Sequence, residues 1–358
     1  MSHLSSHAPT STSGSCALDR LNKKFGRTNL AIYLAIFLAL AFCPLFLNNY
    51  WLLALNNIGL YAVLALSLNI VLGNTGLFNM GHMAFYAIGA YTTAILNTQF
   101  QVPVLWLMPV SGLFAGVAAL FVAWPVIRLR GDYLLIVTIA VVEIVYIALE
   151  NDIFGITGGS NGIFGIDRPM LFGIKIFREW QFFYLIWGFL GLTMILFTLL
   201  EKSRFGRALN YIKQDETAAE GSGISTAHYK MMAFIFAAFW AGMAGTLYAA
   251  KMNTVSPGSF TFGESAMLFA IVILGGAGSI RGVLLATFVL IGLQTAFSDL
   301  KSARLLVFGA AMIAMMILRP QGILPPKPQK YKVDEYLNDL PEPAFSPKEQ
   351  SAKEVKGI

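Results

Sequence analysis

"LNIVLGNTGLFNMGHMAFYAIGAY", residues 68–91, decides how the chain is read. A run of apolar residues reaches Leu72 and stops at Gly73-Asn74-Thr75-Gly76; a second run begins within a few residues, with an ionisable ring, His82, near its start. Two apolar runs of this length, separated only by a glycine-rich turn, are consecutive membrane helices, since a bilayer core takes about 20 apolar residues per crossing. The composition agrees. The 358 residues are 56% hydrophobic and 12% charged, with a mean hydropathy of +0.65, whereas soluble domains carry about 25% charged residues. The 33 glycines and 28 phenylalanines suit closely packed membrane helices. The net charge of +6 marks loops on one side of a membrane and not nucleic-acid binding. Cys43 lies in an apolar run and Cys16 in a polar tail, so the pair does not read as a disulfide.

Working outward, the pattern predicts an all-α polytopic protein with about ten spans: 29–47, 51–72, 78–96, 104–127, 133–150, 181–200, 230–250, 264–280, 283–298 and 303–318. Residues 1–28 form a Ser- and Thr-rich tail without a signal-peptide core, expected to be disordered and cytoplasmic. Residues 29–318 are the transmembrane domain and 319–358 a second cytoplasmic tail. With both ends inside, the inner segments hold 19 of the 25 Lys and Arg residues, counting Lys230 at the edge of the long loop 201–229. That asymmetry supports the orientation.

An echo runs through the chain. Gly76-x-Phe78-x-x-Gly81-x-x-Ala84 recurs as Gly258-x-Phe260-x-x-Gly263-x-x-Ala266. In this topology the copies enter the membrane from opposite sides, the mark of an inverted repeat; four chance matches in a Gly- and Phe-rich chain is the plainer alternative. The echo pairs His82 with Glu264, and Glu143 lies deep in the fifth span. Ionisable groups there are costly and face the bundle interior, as pathway residues or as pins between helices. No metal-ligand spacing, nucleophile elbow or phosphate-binding loop is present, so energy for uphill transport comes from a gradient or another subunit.

The loop "EKSRFGRALNYIKQDETAAEGSGISTAHYK", 201–230, places Ala208, Leu209, Ile212 and Ala219 near one face of a predicted helix over 206–223, ended by Gly221 and Gly223. Such a helix suits a groove in a partner protein, or lies along the membrane surface. Within it, "GRALNYIKQDETAAEGSGI" resembles the coupling segment of ABC importer permeases of the branched-chain amino acid (LivM-type) family. "RLRGDYLLIVTIAVVEIV", "TGGSNGI", "VSPGSFTFGESAMLFAIVILGGAGS" and "RPQGILP" resemble further blocks of that family in the same order, over about residues 50–326.

The resemblance implies a permease subunit in the bacterial inner membrane, without an ATPase site or cofactor of its own. It implies as partners a second, related permease, two cytoplasmic ATPase subunits that bind the ATP, and an extracytoplasmic substrate-binding protein. Carried over, Gly206, Arg207, Asp215, Glu216, Ala218, Ala219, Gly223 and Ile224 contact the ATPase. Glu143, Gly158, Gly159, Asn161 and Gly162 belong to the pathway or its outer rim, with His82 and Glu264 as further candidates. His82 departs from the aromatic or small residue expected at its position. A urea or short-amide permease, or a proton- or sodium-coupled carrier using Glu143, Glu264 and His82, are the alternatives.

Overall fold

The computed structural model describes residues 47–127, 131–153, 155–171 and 174–296, together with residue 44 and isolated positions between 309 and 324. Ten α-helices run through these residues: α1 Asn49–Thr75, α2 His82–Phe100, α3 Val104–Val126, α4 Asp132–Glu150, α5 Glu179–Lys202, α6 Arg204–Gln214, α7 Glu216–Gly221, α8 Thr226–Met252, α9 Phe262–Gly275 and α10 Ile280–Ala296. Six segments are long and apolar enough to cross a membrane: α1, α3, α4, α5, α8 and Pro257–Gly275. α2 is less apolar and α10 is shorter. Each predicted span from 51–72 to 283–298 coincides with one of these helices; apart from the positions just named, 29–47, 303–318 and both tails lie outside the described residues.

α1 is the axis. Its 27 residues span about 40 Å, and it is apolar all round, as befits a helix enclosed by others. α5, α8, α9 and α10 pack around it. The 83% burial of its apolar window contrasts with 17% for α4, which is therefore the span most open to lipid or to another protein.

A seam of small residues joins α2, α3 and α8. Gly89 rests on the backbone of Gly242, and a Cβ on Gly242 would come within 2.6 Å of Ala115 Cβ and 2.7 Å of Ser111 O. A Cβ on Gly245 would meet Tyr86 O at 2.5 Å. The Thr246 hydroxyl meets those of Thr93 at 2.8 Å and Ser111 at 2.5 Å. Membrane helices associate through close backbone approach and hydroxyl bonds of this kind, because lipid removes the hydrophobic drive between them.

α1 ends at Gly76, whose φ of +73° takes the left-handed turn that other residues avoid. The predicted span 78–96 starts four residues late, at His82, because residues 77–81 stay irregular. Asn79 Oδ1 accepts from Gly81 N at 2.7 Å and Thr138 Oγ1 on α4 accepts from Met80 N at 3.1 Å, so side chains replace the missing helical bonds. Irregular backbone at membrane depth is tolerated only when enclosed in this way. The span 264–280 likewise stops early, at Gly275, because Gly276 and Gly278 adopt φ of +101° and +99°.

Two polar layers bound the bundle. At one face, Asn56 Nδ2 donates to Glu179 O and Oε2 (3.1 and 3.0 Å), and Lys251 Nζ donates to Asn57 Oδ1 (2.6 Å). Here β1 (Ile163–Phe164) pairs with β4 (Thr254–Val255), and Asp167 N donates to Asn97 Oδ1 at 2.7 Å. A small hairpin, β2 (Met170–Leu171) with β3 (Ile174–Lys175), lies in the same loop. At the opposite face lie Gly73–Gly76, α6, α7 and Ala277–Ser279. From Asn57 to Thr75 along α1 is about 27 Å, close to the roughly 30 Å of a hydrocarbon core.

Candidate functional site

Midway between the layers the two copies of the echo meet. Each is a short connection that turns into a helix: the irregular run 76–81 into α2, and 256–261, with a 3-10 turn over Pro257–Ser259, into α9. The Ser265 hydroxyl donates to Met80 O, and Phe78 packs on Phe269. Glu264 Oε2 accepts from the Tyr61 hydroxyl at 2.5 Å, about 6 Å inward of the Asn57 layer. His82 is 1% exposed. Ser67 donates to Leu64 O at 2.7 Å, so the 2.7 Å contact between Ser67 Oγ and His82 Nε2 is one in which the imidazole donates. A buried ring whose Nε2 is committed to α1 pins α1 to α2.

Glu143, on the uncovered helix α4, is half-buried and makes no hydrogen bond or ion pair with the described residues. Gly158, Gly159 and Gly162 all have positive φ, and with Asn161 they form the short turn leading into β1. Gly162 rests directly on Val255 and Ser256, so this loop is tied to the segment that enters α9. Asp152 starts the turn. Its carboxylate accepts from Thr157 N at 2.7 Å and Thr157 Oγ1 at 2.8 Å, which holds its pKa below the usual aspartate value.

At the opposite face, the single helix predicted over 206–223 is two. α6 ends at Gln214, and Asp215 takes an extended conformation (φ −153°, ψ 109°) to cap α7 through Ala218 N at 3.0 Å. α6 buries Ala208, Leu209 and Ile212, as its apolar spacing required. Gly206, in the first turn of α6, packs against the end of α5; a Cβ there would meet Glu201 O at 2.6 Å. Glu216 spends its carboxylate on Lys230 Nζ, 2.5 Å away, the one ion pair among the described residues. Gly223, at φ +82°, closes α7, and Ile224 N bonds back to Ala219 O at 3.1 Å. Arg207 and Ala218 stay exposed while Ala219 is buried. Asp215, Ala218, Ala219 and Ile224, with Tyr211, Gln214 and Ser222, line a groove of about 400 Å³.

The module is joined to both helix breaks. Lys213 Nζ donates to Gly73 O (2.6 Å) and Ala277 O (3.3 Å), and Asn69 Oδ1 accepts from Gly278 N (2.8 Å). Partial burial of the ammonium draws the Lys213 pKa below the ordinary lysine value. Ile323 N donates to Leu274 O (2.8 Å) and Leu324 N to Gly275 O (3.3 Å), so residues 322–324 close the end of α9.

Residues 50–318 match the family described as "Branched-chain amino acid transport system / permease component". The chain belongs to this family. It is 42% identical over 289 residues to the high-affinity branched-chain amino acid transport system permease protein LivM of Escherichia coli (strain K12), covering 74% of this chain and 68% of the relative. It is 27% identical over 287 residues to the same organism's LivH (74% and 91% covered). The probable branched-chain amino acid transport permease protein LivM of Methanocaldococcus jannaschii is 24% identical over 321 residues (75% and 92% covered). No solved structure matches.

In the permease, then, the multi-pass bundle carries two polar assemblies, one at the echo and one at the α6 face. Sequence reasoning missed Ser67, Asn69, Tyr61 and Thr138, although small polar residues inside the apolar runs were visible as a signal. It also missed Lys213 and Lys230 as joints. Charge marked Lys213 only as lying off the apolar face and Lys230 only as one more basic residue of the inner loop.

Proposed function

We propose that the chain is the membrane-spanning subunit of an ABC importer for branched-chain or other hydrophobic amino acids. It pairs with a second permease, takes cargo from an extracytoplasmic binding protein, and is driven by two ATPase subunits on the α6 face. The observation that carries the reading is the α6–α7 module: a partly exposed groove on one side, and direct bonds to two helix breaks on the other. Push on such a module reaches the bundle, as coupling requires. The chain itself acts as a transport subunit and not an enzyme, and ATP is bound by its partners.

The cargo follows from the family's description and from the relatives' names. Likeness to both LivM and LivH of one organism supports a pair of permease subunits. The α6 face is cytoplasmic and both tails lie on that side of the inner membrane, which the basic loops favour. Gly206, Arg207, Asp215, Glu216, Ala218, Ala219, Gly223 and Ile224 build the ATPase contact. In this reading Arg207 and Ala218 touch the partner, while Gly206, Asp215 and Glu216 hold the module's shape. Glu143 and Glu264 face the pathway, Gly158, Gly159, Asn161 and Gly162 shape its outer rim, and His82 braces it.

Uptake of labelled leucine by membrane vesicles bearing the whole complex tests the reading. Uptake should need ATP, survive collapse of ion gradients, and be competed by isoleucine and valine but not by urea. Uptake abolished by a protonophore at constant ATP would overturn it.

A further inference from the structure

We infer that Lys213 is the joint through which the α6–α7 module moves both helix breaks together, a positioning residue that sets how tightly ATP hydrolysis is converted into transport. The inference rests on the importer reading above and goes beyond it by naming the mechanical link.

The argument starts from backbone accounting. The last four carbonyls of a helix have no partner within it, and the helix dipole leaves that end negative. Gly73 O is one of these at the end of α1, and Ala277 O lies in the break just after α9. Lys213, in the last turn of α6, places one ammonium against both. The two breaks are themselves in backbone contact. Gly73 packs on Gly278 so closely that a Cβ has no room, and Asn69 Oδ1 holds Gly278 N at 2.8 Å. The α9 break is secured on its other side by the amides of Ile323 and Leu324. Lys213 is therefore the point at which α6 meets the junction of two membrane helices.

Its surroundings suit a joint and not a fixed brace. No acidic side chain forms an ion pair with it among the described residues. Its partners are backbone carbonyls, which any residue at those positions would present, and a lysine stem can follow a carbonyl that shifts. The stem runs past Gly76: a Cβ there would lie 3.6 Å from Lys213 Cγ, an ordinary contact, so it is the turn's φ of +73° and not crowding by the lysine that calls for glycine. α1 leads up to Ser67 and Tyr61, the partners of His82 and Glu264, and α9 begins beside Glu264. A shift of the two breaks is therefore passed along both helices to the place where the echo segments meet.

The test uses the complete complex, both permeases with the ATPases, in proteoliposomes with cargo-loaded binding protein. Uptake and ATP hydrolysis are measured together. Lys213→Met should assemble and hydrolyse ATP while cargo moved per ATP falls about fivefold or more, and Lys213→Arg, which keeps a cation with several donors, should recover most of it. A Lys213→Met complex with the wild-type ratio overturns the inference. Should that variant fail to assemble, the ratio is read on Lys213→Gln, where an unchanged value overturns the inference equally. A wild-type complex that moves no cargo on ATP overturns the importer reading instead, so the two failures are distinct.

Discussion

The α2–α3–α8 seam and the α6–α7 module are both contact regions, yet they are held by different forces. In the seam, glycine and alanine let backbones touch, and most of the cohesion is dispersion and packing summed over many atoms, with the Thr246 hydroxyl bonds to Thr93 and Ser111 buried inside it. Close packing has one solution, so the seam is rigid or broken. In the module, a few polar joints do the holding: Lys213 to two carbonyls, Glu216 to Lys230, Asp215 to an amide. Each can be exchanged for water or for a partner at modest cost. The difference separates a frame from the lever proposed above. Two packings of a bundle can interconvert only where contacts are few and replaceable, and a device that receives force belongs at that end of the molecule.

The sharpest way to break this contrast is Gly242→Leu. The new side chain would have to displace Ala115, Ser111 and the Gly112 backbone at once. Overpacking costs about 1–3 kcal/mol when neighbours can shift and more when, as here, the obstacle is backbone. The permease should fail to appear as a monodisperse, assembled subunit in detergent, and Gly242→Ala should show a milder loss of thermal stability. Normal yield and melting of the leucine variant would show that the seam is not the frame.

A smaller effect tests the lever. Lys230 is nearly buried, its side chain 7% exposed, while that of Glu216 is 29% exposed. Glu216→Gln leaves the ammonium with a weaker acceptor, and Glu216→Leu leaves it with none. A fully buried pair broken on one side costs about 3–5 kcal/mol; water reaches the Glu216 side, so about 2 kcal/mol is expected for the leucine variant. That loss should appear as faster hydrogen exchange across 215–225, with exchange in α2, α3 and α8 unchanged. Lys230→Met paired with Glu216→Leu should recover part of it. Protection lost equally in the seam would mean the two regions form one cooperative unit.

These two regions were not equally legible in the sequence. The spans announced themselves because apolar length in a low-charge chain has few other meanings, and the helix ends at Gly76 and Gly275 were visible as glycines. The apolar face of α6 followed from Ala208, Leu209 and Ile212. Its break at Asp215 did not, because Asp215 capping Ala218 and Glu216 reaching Lys230 are choices between a local bond and continued helix, and periodicity is silent about them. Glu143, Glu264 and His82 all stood out as ionisable residues among apolar ones. Only the fold separates the ring fastened to Ser67 from the carboxylate bonded to Tyr61 and from the one on the uncovered helix. The Lys213 joint depends on chain segments 140 and 64 residues apart meeting at one atom, which no local pattern encodes.

The least effect is expected at the far face, where the Gly158–Gly162 turn belongs to neither the frame nor the lever. Its order depends on Asp152 holding Thr157. The carboxylate's pKa is lowered in the folded state. A group of that kind stabilises fully above its unfolded pKa, near 3.9 for aspartate, and the contribution fades as pH falls through the lower folded value. Protection of the Thr157 amide should therefore be the same at pH 7 and pH 5, and should decline only in stronger acid. Asp152→Asn retains an acceptor and tolerates the residue's φ of +46°, so it should keep most of the protection while losing the acid dependence. Asp152→Ala should lose both, with the helices of the seam untouched. Were the Thr157 amide to exchange equally in all three proteins, the turn would be held by the β1–β4 pairing and the Gly162 contact instead. The Gly158–Gly162 turn would then draw its shape from the frame, and the line between rigid and exchangeable regions would have to be moved to include it.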